Sequence, residues 1–325
     1  MNNIERAKTL EKIAELVESS ESIEDAVDFV RSLNTQYSSS ESNKDDCQDS
    51  DTFNGSRITT SLDSESELLQ KYRNYFEEWL NLPLEEIIQA KGIILISNEK
   101  RRLKPRGWLM YLPICIFETN QAIIISCIPE WEDELRGKLN CVEAVDVMPI
   151  IKEYAKEKNL YCDGHLFYGL DALNNNIDFS GAILMDDTQY DQNWEFCSKL
   201  YPTMYEIIEP DEQMAEEFKS MIKKEPRYCY IVDGKIVSMT EAENVPNIPE
   251  GVIHLGINTL REYRRKGYAA EVCAAFIDNY IRRNIYPIWQ CDITNTASQA
   301  LAEKLGFKCL GSAYDVSAAL ASWEE

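Results

Sequence analysis

The chain has 325 residues, 44% of them hydrophobic, which is length and apolar content enough for two packed domains. Its formal net charge of −23 repels nucleic acid, serves solubility, and favours a cationic over an anionic small-molecule partner. Ten Cys scattered without a C-x-x-C pair, and only two His, argue against a disulfide framework and against a zinc site, so reduced, buried thiols and no metal are expected.

No run approaches the length of a membrane span, and the opening MNNIERAKTLEK lacks the apolar core of a signal peptide, so the protein is expected to be cytoplasmic and not membrane-bound. Residues 4–17 and 23–33 read as short amphipathic helices, the second capped by Ser20 or Ser22. They form a helical N-terminal extension over 1–34. Residues 35–66 are rich in Ser, Asp and Asn and read as a flexible linker. From Glu67 a helix carrying Leu68, Tyr72, Tyr75, Phe76 and Trp79 leads to Pro83. Strands are predicted over 92–97, 108–117 and 122–128, and a helix over 142–158. Lys100-Arg101-Arg102-Leu103-Lys104-Pro105-Arg106 is the one dense basic cluster. It reads either as an anion contact or as a solvated hairpin loop. This middle region, 67–200, is expected to be an αβ domain of its own.

The C-terminal domain, 201–325, opens with an edge strand over 204–208 and a helix over 210–223. A hairpin follows, 227–232 and 236–243, turned by Asp233-Gly234-Lys235. Residues 251–260 read as a buried strand, and 270–281 as a helix with Val272, Cys273, Phe276, Ile277, Tyr280 and Ile281 on one face. Between them stands Arg264-Arg265-Lys266-Gly267-Tyr268-Ala269. A strand, a basic Gly/Ala turn and a helix N-terminus form an anion site, because free N–H groups and the positive dipole end meet there. A plain strand-to-helix turn with solvated cations is the bland alternative. A strand over 286–293 and a helix from Asn295, stopped by Gly306, complete the pattern.

Here the chain resembles the GNAT superfamily of N-acetyltransferases. Arg264 to Ala269 is similar to its R/Q-x-x-G-x-G/A acetyl-CoA loop, and Asn295-Thr296-Ala297-Ser298-Gln299-Ala300-Leu301-Ala302-Glu303-Lys304-Leu305-Gly306-Phe307 to its N-x-x-[AS]-x-x-L-x-x-K-L-G-F motif. The resemblance covers about residues 200–320 and suggests a subfamily with an extra N-terminal domain, the 67–200 region being a GNAT-like half without the loop. It implies an α/β fold with a mixed, mostly antiparallel sheet flanked by helices, acetyl-CoA as co-substrate, and a small-molecule amine as acceptor. In the family the fourth and fifth strands splay and the pantetheine arm enters between them. By resemblance, Ile257, Asn258 and Thr259 offer backbone to that arm, with a strand N–H as oxyanion donor. Arg264, Arg265, Lys266, Gly267, Tyr268, Ala269 and Ala270 hold the diphosphate, and Asn295 and Ser298 touch the pantetheine or the ribose end.

Amine acetylation needs a base. The place where many relatives carry Glu holds His254, a competent base at neutral pH. Glu241 and Glu243 on the preceding strand compete for that role, and a core histidine bonded to backbone is the other reading of His254. The place where many relatives have an acidic Tyr holds Ala302, so Tyr314, Cys291 or water is left to protonate the leaving thiolate. A non-catalytic acyl-CoA-binding or scaffolding protein is the competing reading.

Overall fold

The computed structural model describes residues 62–103, 110–205, 210–243 and 250–319. The helices expected at 4–17 and 23–33, the expected linker up to residue 61 and the cations at 104–106 lie outside the described residues, while residues 62–66, expected to be linker, open a helix.

The chain folds as two compact units assembled from interleaved segments. Of the described residues, the larger takes those from 62 to Leu173, those of Glu243–Leu255 and those from Tyr280 onward; the smaller takes those of Asn174–Ala242 and Gly256–Asn279. These units do not follow the expected boundary at residue 200, because strands distant in sequence pair with one another.

In the larger unit, helices α1 (Leu62–Lys71), α2 (Arg73–Leu80) and α3 (Leu84–Gln89) precede strands β1 (Gly92–Ser97), β2 (Met110–Glu118) and β3 (Ala122–Cys127). Helices α4 (Glu132–Lys138) and α5 (Ala144–Glu157) and strand β4 (Tyr161–Leu170) follow. After the smaller unit's segments come the start of β8 (Val252–Thr259), β9 (Tyr286–Asp292), helix α10 (Thr296–Leu305) and β10 (Phe307–Ala319). The strand order is β1-β3-β2-β10-β4-β9-β8. Only β1 with β3 and β8 with β9 run parallel; the other pairings are antiparallel. This is the mixed, mostly antiparallel sheet that the sequence led us to expect.

Strand alternation sends β2 and β3 side chains into two separate cores. Ile114, Ile116, Ile123 and Ile125 pack with Leu135 of α4 and with Val147, Ile151 and Tyr154 of α5. On the opposite face Cys115, Phe117, Ile124 and Phe167 meet the aromatic row Tyr72, Tyr75, Phe76 and Trp79. The continuous apolar run AIIISC of β3 is what a strand buried on both faces requires.

The smaller unit contains β5 (Ile183–Leu184), α6 (Tyr190–Leu200), α7 (Pro202–Tyr205), α8 (Glu212–Lys224), β6 (Tyr228–Val232) and β7 (Lys235–Glu243) up to Ala242. The end of β8 and most of α9 (Tyr268–Arg282) complete it. Its core is Met185, Phe196, Phe218, Ile222, Cys229, Met239 and Leu260. The β6–β7 turn puts Asp233 at φ 50° and Gly234 at φ 76°, the left-handed pair that a two-residue hairpin uses.

Three expectations are corrected. The strand expected at 204–208 is helical in its described part, Met204 and Tyr205 closing the α7 turn that Pro202 starts. The helix expected from Glu67 is two helices broken at Tyr72. There the phenol accepts from Leu170 N and donates to Pro287 O, both at 2.7 Å, and the chain bends to keep it buried. Residues 159–200, given no elements from sequence, hold β4, β5 and α6. Among the described residues no helix is long and apolar enough to cross a membrane.

Candidate functional site

In the smaller unit β8 ends at Thr259, one short turn spans Arg261–Tyr263, and α9 begins at Tyr268. Two left-handed residues separated by Lys266 shape the loop between them, Arg265 at φ 62° and Gly267 at φ 94°. A Cβ added at Gly267 would meet nothing within 4 Å, so the space over the turn is open. Ala270 and Glu271 N–H groups both donate to Gly267 O. The N–H groups of Gly267, Tyr268 and Ala269, ahead of them, belong to the first turn that a helix leaves without intrahelical acceptors. An open glycine turn, unused donors and a helix dipole suit a diphosphate.

The three cations of this loop are not equivalent. Arg264 Nε donates to Thr259 O at 3.1 Å and ties the loop to the strand end. Lys266 Nζ sits over the Tyr263 ring at 4.8 Å. Tyr268 stacks on Tyr230 with centroids 4.2 Å apart, fixing the first residue of α9. Upstream, Ser238 Oγ donates to Asn258 O at 3.3 Å and lies 2.8 Å from Thr259 Oγ1, while Asn258 Nδ2 reaches Tyr201 Oη at 3.3 Å. The carbonyls of Asn258 and Thr259 thus already have partners. Ile257 on β8 and Glu241 on β7 are each half-buried. Glu243 ends β7, with its side chain outside the described residues.

In the larger unit the pairing of β8 with β9 covers Val252 to His254 against Tyr286 to Ile288. His254 is buried at the last of these pairs. Asn295 is the N-cap of α10, its Oδ1 accepting from Ser298 N at 3.0 Å, and Ser298 Oγ accepts from Trp289 Nε1 at 3.1 Å. Both residues therefore have a structural task, which leaves the Asn295 amide nitrogen as its remaining polar group. Gly306 ends α10 at φ 103°. Ala302 and Cys291 are buried.

Tyr314 on β10 packs with the α5 face of the sheet, its ring filling the room left by Gly164, and burial with Glu118 and Cys162 nearby pushes its phenol pKa up. Val252, two residues before His254, packs on the α2 face. The structure therefore sets Tyr314 and His254 on opposite faces, with β4 and β9 between them. The Lys100–Arg102 cluster is not a hairpin loop but a single tight turn. Lys100 pairs with Glu78, Arg102 with Glu130 and Glu99, and buried Arg101 donates to Trp79 O and Ser126 Oγ.

Residues 116–316 match the family described as GNAT acetyltransferase. The chain belongs to the GNAT acetyltransferase family. A 54-residue stretch is 50% identical to the uncharacterized N-acetyltransferase YdfB of Bacillus subtilis (strain 168), covering 17% of this chain and 21% of that protein, so the match spans about a fifth of the relative. Among solved GNAT structures, an acetyltransferase from Colwellia psychrerythraea superposes with TM-score 0.43 at 12% identity, covering 64% of this chain and 81% of its own. A GCN5-related N-acetyltransferase-like protein from Streptococcus suis gives TM-score 0.39 at 14% identity, covering 79% and 100%.

The GNAT motifs did not reveal a polar group in the larger unit. β4 brings His165 opposite Asp292 of β9 and Ala313 of β10, and Asp163 opposite Asp315. His165 is buried, its ring edge-on to Phe167, and burial lowers its pKa, with Asp315 opposing and His254 reinforcing the shift. The available signal was the YCDGHLFYGL stretch, where an aromatic-rich run is interrupted by Asp and His; without its strand partners it points to no site.

Proposed function

We propose that this protein is a cytoplasmic acetyl-CoA-dependent N-acetyltransferase acting on the primary amine of a small, cationic acceptor by direct transfer. The observation that carries the reading is the open glycine turn at the N-terminus of α9, within a chain of the GNAT family. Gly267, Tyr268, Ala269 and Ala270 receive the diphosphate by backbone, with Arg265 and Lys266 supplying charge and Arg264 holding the turn in shape. Ile257, Asn258 and Thr259 line the pantetheine, and Asn295 and Ser298 the far end of the CoA.

His254 is the base. Its neutral imidazole takes a proton from the acceptor ammonium, the freed amine attacks the thioester carbonyl, and a strand N–H of β8 receives the developing oxyanion. Tyr314, on the other face of the sheet, is left out. The CoA thiolate is a good leaving group, and the proton that nitrogen loses as the tetrahedral intermediate collapses reaches it through water. Glu241 remains the competing base only if His254 proves dispensable.

Free-thiol release from acetyl-CoA across a panel of cationic amines, with CoA affinity measured by calorimetry, tests the reading. Turnover with any amine supports it. CoA binding with no turnover across the panel would favour a non-catalytic acyl-CoA-binding protein, and absence of CoA binding would remove the loop assignment.

A further inference from the structure

His165 Nε2 stands 3.7 Å from Asp315 Oδ2, too far for a hydrogen bond, and His165 is 8% exposed. Neither His165 Nε2 nor Asp315 Oδ1 has a hydrogen-bond partner. Asp163 lies opposite Asp315 in register, and Asp292 lies opposite His165. Asp292 Oδ1 is already occupied by Thr294 N at 2.6 Å. Burial and the charges of Asp315 and Asp292 all raise the Asp163 pKa, as carboxylates within electrostatic reach of one another must. Among the described residues no Lys or Arg forms an ion pair with any of the three aspartates. Apart from the weak thiol donor of Cys115, opposite Asp315 on β2, the group offers acceptors and no cation. A primary ammonium, with a full charge and three N–H bonds, supplies what such a group lacks.

The same face holds His254. It follows Val252 by two residues, and Val252 packs with Phe167 and Ile288 on the α2 side. His254 lies level with Ile288 of β9 and His165 level with Asp292, four residues further on. With a rise of about 3.3 Å per residue along β9 and two strand spacings of about 4.8 Å across it, that is a separation of roughly 16 Å.

We propose that the acceptor is a small molecule with at least two ammonium groups, one acetylated beside His254 and a second held by Asp163, Asp315 and His165 Nε2, on the order of 16 Å away across the sheet. The proposal rests on the amine-acetylation reading above. Short diamines cannot reach both places, and monoamines leave the aspartates without a cation.

The test uses the full chain with acetyl-CoA, measuring thiol release for α,ω-diaminoalkanes of increasing length against the matching n-alkylamines. The ratio of kcat/KM, diamine over monoamine, should rise with chain length to about tenfold or more, the worth of one charge-assisted contact. In Asp163→Asn with Asp315→Asn, CoA affinity by calorimetry reports an intact fold and that ratio should collapse towards one. Should the double variant not fold, Asp163→Asn alone, at an exposed position, should lower the ratio several-fold. A ratio near one at every length in the parent protein, or a ratio that survives the substitutions, overturns the proposal while leaving amine acetylation standing. No turnover of any amine would overturn both.

Discussion

Arg264 Nε donates to the carbonyl of Thr259 at 3.1 Å, closing the basic loop back onto the strand that precedes it. The first cation of the family motif is thus a latch on the loop backbone. Arg264→Ala should weaken CoA binding by about tenfold, since a hydrogen bond from a charged donor is worth roughly 1.5–3 kcal/mol. Lys266→Ala, which removes a charge lying over the Tyr263 ring, should cost less. Calorimetric titration of both variants orders the two effects, and a larger loss from Lys266→Ala would reject the latch.

Gly267 separates shape from bulk. Its φ of 94° disfavours any side chain by about 1–2 kcal/mol, although a Cβ there has nothing to collide with. Gly267→Ala should therefore lower stability modestly while CoA still binds, and Gly267→Phe should abolish binding by filling the space over the turn. Urea unfolding with calorimetry distinguishes them, and unchanged affinity in the Phe variant would sink the loop assignment.

If His254 is the base, His254→Ala should lower kcat by about 10²–10⁴-fold, the usual range for a lost general base. CoA affinity should stay within a few-fold of the parent. A kcat within about twofold of the parent would transfer the role to Glu241 or to water.

His165 makes stability depend on pH. Burial depresses its folded-state pKa, with His254 adding to the shift and Asp315 and Asp292 opposing it. The folded form thus disfavours the imidazolium, while the unfolded chain protonates near about 6.5. The stability this group contributes is present above that value and is lost as pH falls through it, levelling off below the depressed folded-state pKa. Urea midpoints at a series of pH values from neutral downwards should show this decline, and His165→Asn should flatten it. An identical decline in the variant would assign it to other groups.

Much of the architecture was legible locally. The hairpin turn at Asp233-Gly234, the left-handed stop at Gly306 and the cap at Asn295 follow from the φ preferences and short polar side chains of those residues, which act within a few positions of themselves. The Gly267 turn was legible for the same reason. β4 was not legible, because its ten residues alternate imperfectly and are held by β9 on one side and β10 on the other, more than a hundred residues away. The same absence of partners made Tyr72 look like a mid-helix aromatic, when its hydroxyl binds two strands and breaks the helix.

The sequence by itself determined the order of most elements, the glycine turn ahead of α9 and membership of the expected family, since each depends on neighbouring residues and short-range spacing. Tertiary structure alone decided that Arg264 is a latch, that Arg101 is a buried tie, that Tyr314 and His254 face opposite ways, and that His165 gathers with three aspartates. The last two outcomes depend on register between distant strands. A shift of one residue exchanges the two faces of a sheet, and no local pattern records which strand will stand alongside.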